Sequence, residues 1–194
     1  MAGQPGLSTN LGSGSIGIQI ILPAIPLWVP DVARQQLGNL VLMSMHLALQ
    51  EAAGRISDAA PVSEGILAQS FGADPATTTG GMEIFGQTPA GDINGRVFSA
   101  LPYAIVMDQG RRIGAPISRA GIDAIGLWAQ RKLGLTATQA EHAKWAIAQS
   151  IIKHGFPGTG YFGQGVKAAE PGIQRLFAIL GDQITKALTT EGQV

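Results

Sequence analysis

Apolar or small residues return every three or four positions from Asp31 to about residue 57, at Leu37, Leu40, Val41, Ser44, Leu47 and Ala48, with Met43 and Met45 widening the stripe. That period predicts a long amphipathic helix with Asp31 as its cap. The pattern then changes. Short apolar runs at residues 67–71, 82–85, 96–100 and 103–107 read as strands, and the turn-rich QTPAGDING between the second and third predicts an antiparallel hairpin. Pro102 places the last run at an edge or a bulge. Helical spacing resumes after Ser118, an N-cap candidate, with Ile122, Ile125, Trp128 and Leu133 facing inward before Gly134. Thr136 and Gln139 predict a capping box for the next helix, and Gly155 its C-cap. Ile173, Leu176, Phe177, Leu180, Ile184 and Leu188 mark a last helix, with Pro171 in its first turn or interrupting an earlier one. The sum is an α+β fold: a small antiparallel sheet packed with a long N-terminal helix and about three C-terminal helices.

The first thirty residues contain no charged side chain, and Pro23, Pro26 and Pro30 favour extended backbone. Ile20, Leu22, Leu27 and Trp28 need cover, either as an intramolecular strap or as an arm reaching a neighbouring subunit. The expected organisation is an extended, partly flexible arm over 1–30, a single α+β domain over 31–190 and a flexible tail over 191–194. The apolar run IGIQIILPAIPLWV is too short and too broken by proline to span a membrane.

Composition narrows the chemistry. Among 194 residues, thirteen basic side chains balance thirteen acidic ones, and no basic stripe suits phosphate neutralisation. The absence of cysteine removes thiolate catalysis and zinc–sulfur sites. GTGYFGQG at 158–165 spells Gly158-x-Gly160-x-x-Gly163, but a dinucleotide loop must follow a strand and here it follows a helix. The loop reads as a flexible connection presenting Tyr161 and Phe162 as apolar points for a neighbour, and no cofactor is expected. His46, His142 and His154 are isolated, and no metal, nucleophile-elbow or carboxylate-cluster motif occurs, so no metal site and no enzyme activity are expected.

The block PYAIVMDQGRR predicts a strand ending at Asp108 beside a Gly110 turn, from which Arg111 and Arg112 project charge. Taken in order, PVSEGILAQS, PYAIVMDQGRR and LWAQRKLG, with the 137–155 helix and the Tyr161–Phe162 pair, resemble the tail-completion and neck family of HK97-like tailed bacteriophages over about residues 35 to 190. The chain departs from that pattern at Ser63, at Gln69 and at Asp108, where glutamate is commoner. The resemblance implies a structural virion protein of the head–tail junction, assembled in the host cytoplasm, forming a hexameric ring with copies of itself. It implies partners in the tail tube protein and head connector proteins, with DNA passing through the lumen unread and no membrane partner. A head-closure protein and a non-viral protein-binding module are the alternatives. The interface candidates are Ile20, Leu22, Leu27, Trp28, Asp108, Arg111, Arg112, Tyr161 and Phe162.

Overall fold

The computed structural model describes residues 6–9, 16–22, 31–61, 65–72, 77, 79–85, 93–101 and 103–191. It shows an α+β fold with an N-terminal helix, a central antiparallel sheet and C-terminal helices. The chain divides into two compact units, Met1–Ile105 with Gly160–Val194, and Val106–Thr159.

In the first unit, strands β1 (Gly6–Thr9), β2 (Ile16–Leu22), β3 (Gly80–Phe85) and β4 (Ile93–Ser99) form an antiparallel sheet in the order β1-β2-β4-β3. The hairpin expected around QTPAGDING is present: β3 pairs with β4, Met82 opposite Val97 and Phe85 opposite Asn94. The sheet also contains residues 6–9 and 16–22 of the segment the sequence assigned to an arm. β2 lies between β1 and β4, pairing Ile18 with Val97 and Leu22 with Ile93. The alternating Ile-x-Ile-x-Ile of this segment is a strand period, and Ile20 is buried within the subunit.

β4 alternates strictly, burying Ile93, Gly95, Val97 and Ser99. Helix α1 (Asp31–Ala59) crosses this face at Gly95, where an added Cβ would stand 2.7 Å from the Met45 sulfur. The buried stripe of α1 runs through Leu37, Val41, Met45, Ala48, Leu49, Ala52, Ala53 and Ile56. It is rotated from the expected stripe, since Met43 and Leu47 are exposed. Small residues at 48, 52 and 53 allow close approach by α6 (Tyr161–Glu191), whose Gly165 touches the Ile56 backbone. Pro171 lies inside α6, not at its start.

Two expected strands are helices. Residues 67–71 belong to α2 (Ile66–Gly72), which buries Leu67, Ser70 and Phe71. Those positions are spaced i, i+3, i+4, a helical face within a run too short to declare its period. The Ser70 hydroxyl donates to the Leu67 carbonyl at 2.7 Å and is hydrogen-bonded to the Ser99 hydroxyl at 2.8 Å, tying α2 to β4. Residues 103–107 fall largely in α3 (Ala104–Gln109), whose first turn is set by the bond from Ala104 N to the Leu101 carbonyl at 2.9 Å.

The second unit is built on a helical hairpin, α4 (Arg119–Leu133) and α5 (Ala137–His154). Its punctuation matches the sequence. Ser118 caps α4, Gly134 closes it in the left-handed region, Thr136 and Gln139 form the capping box, and Gly155 caps α5. A two-residue ladder, β5 (Gly110–Arg111) with β6 (Phe156–Pro157), joins the segments flanking the hairpin.

Candidate functional site

The nine interface candidates separate into distinct environments. Ile20 is fully buried in β2. Leu22 ends the same strand opposite Ile93. Leu27 and Trp28 lie outside the described residues. Tyr161 and Phe162, expected in an open loop, instead form the first turn of α6 and are buried. Their rings meet Phe71 at centroid distances of 6.2 and 6.1 Å, and the Tyr161 hydroxyl donates to the Ala104 carbonyl at 3.4 Å. A phenol in that setting is core with one satisfied polar tip. Ile20, Tyr161 and Phe162 are thus consumed inside the subunit and offer nothing to a neighbour.

Asp108, Arg111 and Arg112 lie near one another in sequence but differ in role. Asp108 sits in α3, not at the end of a strand, and is half-buried. Arg111 does not project from its loop. Its Nη2 donates to the Ala115 carbonyl at 3.4 Å and also to the Pro116 carbonyl, so the guanidinium braces the turn. Arg112 is exposed. The same turn is held by Gly114 N donating to the Ile152 carbonyl at 2.7 Å and by the close approach of Gly155 to the Arg111 carbonyl. At its tip stands Ile113, 73% exposed. An apolar side chain on a turn fixed by this many bonds is a pre-organised contact point, because little freedom is left to lose on binding.

The hairpin has an unusual division of labour. Between its helices it buries Ile122, Gly126 and Ala129 against Ala140, Lys144 and Ala148. The Lys144 stem packs on Gly126, and its side chain is 4% exposed. Lys144 Nζ donates to Asp123 Oδ1 at 2.9 Å and to Glu141 at 2.8 Å, so the charge enters the seam fully paired. These hydrogen bonds, Glu141 foremost, raise the Lys144 pKa, and the bond from Lys144 holds the Asp123 carboxyl below its usual range. The large apolar residues are left outside instead. Trp128 is 42% exposed and Leu127 52%, with Leu133 and Trp145 similarly open. Arg119 lies over the Trp145 ring at 5.6 Å. Sequence periodicity placed Trp128 and Leu133 inward; it could not show that Gly126, Ala129 and the Lys144 stem fill the seam.

Catalytic chemistry finds no comparable focus. Among the described residues no group of three or more His, Asp or Glu side chains could hold a metal ion. His46 Nε2 lies 3.0 Å from the Gln50 amide, and His154 Nδ1 lies 3.1 Å from the Ser150 carbonyl, within their own helices. Among the described residues no helix is long and apolar enough to cross a membrane. Comparison of the chain with protein-family models, curated proteins and solved structures returned no match. The candidate site is the set of exposed apolar side chains of the second unit, Ile113, Leu127, Trp128, Leu133 and Trp145, with Arg112 next to Ile113.

Proposed function

We propose that the protein is a structural subunit of a virion head–tail junction, completing the upper end of the tail and meeting the head connector as a ring around the DNA channel. The observation that carries this reading is the exposure of two tryptophans and three aliphatic side chains on one small unit whose own seam is already filled. Aromatic and aliphatic groups left open in that number suit burial by protein. Six copies are the proposed ring number, with the tail tube and connector proteins as neighbours, and the work is binding, not catalysis. Near-neutral composition fits a lumen through which DNA passes without being gripped.

Co-expression with tail tube protein followed by native mass spectrometry tests this. A closed oligomer associated with tubes is expected, and Trp128→Ala should lower its yield. A chain that stays monomeric both alone and with tubes would contradict the ring.

A further inference from the structure

From Gln35 to Gly54, every exposed residue of α1 is uncharged. Charged residues make up 13% of the chain, and none of them falls on these seven open positions. Their centre is Met43, 65% exposed, and Leu47, 47% exposed. Gln36, Asn39, Gln50 and Gly54 complete a stripe opposite the buried side of the helix.

The order along this stripe is nearly palindromic about Met45, which itself points into the core. Reversing the helix brings Met43 to the level of Leu47, Asn39 to within one residue of the level of Gln50, and Gln36 to the level of Gly54. Apolar then meets apolar, amide meets amide, and a long side chain lies over a glycine with open space around it. At 100° per residue, Asn39 and Gln50 also fall on the same margin of the stripe. The Gln50 amide nitrogen is already 3.0 Å from His46 Nε2, and its oxygen can accept from the second copy's Asn39. A parallel copy would set glycine on glycine and align the helix dipoles unfavourably.

We infer that a second copy of this chain covers the stripe, α1 packing antiparallel on α1 about a twofold axis at residue 45. Charge matching supports this occupant: an uncharged face leaves no ion unpaired on another uncharged face, whereas a charged partner would lose hydration without compensation. The stripe is ~27 Å long on a helix ~10–12 Å across. Two such faces together cover on the order of 600 Å², below the range of stable specific contacts, so the pairing is weak and reversible. This contact is independent of the head–tail reading, because a twofold contact uses one face twice, while a ring joins two different faces.

The chain has no cysteine, so introduced thiols report cleanly. Under mild oxidation the double variant Asn39→Cys/Gln50→Cys should form covalent dimers, while each single variant should not. Cross-linking by the single variants would indicate parallel pairing and overturn the proposal. In sedimentation equilibrium, Met43→Lys and Leu47→Glu should each weaken dimerisation at least ~10-fold with helix content unchanged, and mixing the two should restore it. A wild-type chain monomeric up to millimolar concentration, or a dimer indifferent to both substitutions, overturns the inference even if rings form normally.

Discussion

Lys144 occupies a seam position that would ordinarily take an aliphatic side chain, and its two carboxylate partners make that possible. The arrangement has a pH signature. The folded Asp123 carboxyl titrates below its unfolded value of about 3.9, so its contribution is complete above that pH and is lost as pH falls through the lower folded value. The folded Lys144 ammonium titrates above about 10.4, so its contribution is complete below that pH and is lost as pH rises through the higher folded value. Thermal melts followed by circular dichroism should show a plateau between those limits, and Lys144→Met should narrow the difference in melting temperature between pH 7 and pH 3. Glycines give a second contrast. Gly165→Ala places a methyl 2.5 Å from the Ile56 Cα and should cost about 1–3 kcal/mol. Gly38→Ala meets nothing within 4 Å and should stabilise by up to ~1 kcal/mol; denaturant titration separates the two. Capping residues such as Thr136 and Gln139 were legible from sequence because their signal is local. The burial of Lys144 was not, since it depends on Gly126 in another helix.

At the scale of elements, length decided what could be read. α1, α4 and α5 each repeat their apolar period over several turns, whereas α2 and α3 span seven and six residues and resemble strands. Periodicity also identifies a face without saying what covers it, which is why the α1 stripe was read one step around the helix and Trp128 was placed inside. The segment 16–22 is the clearest case. Its apolar residues required cover; the segment pairs with β4, and Ile20 is fully buried within the subunit. Ile20→Ala should therefore destabilise the isolated subunit by about 2–4 kcal/mol, seen as a lower denaturation midpoint. Trp128→Ala should shift that midpoint by no more than ~0.5 kcal/mol while reducing assembly. If the two variants exchange these effects, the assignment of core and contact surface is reversed.

For the whole molecule, the sequence pattern conveyed the α+β class and the order of its layers but not the division into two compact units. Each helix announces an apolar side, and nothing in a linear pattern states which core that side joins. The candidate surface was missed for the same reason: of the nine residues singled out, Ile20, Tyr161 and Phe162 are interior, while Ile113, Leu127, Leu133 and Trp145 emerge only once the hairpin seam is seen to be full. The proposed role rests on those open side chains finding protein in an assembly at the head–tail junction. A cryo-EM reconstruction of intact virions whose genome encodes this chain tests that most directly. The account predicts a closed ring of copies at the junction, with Trp128 and Leu127 buried against another subunit and Ile20 and Tyr161 inside each one. Absence of the chain from the particle, or a ring in which Trp128 and Leu127 face solvent, would contradict it.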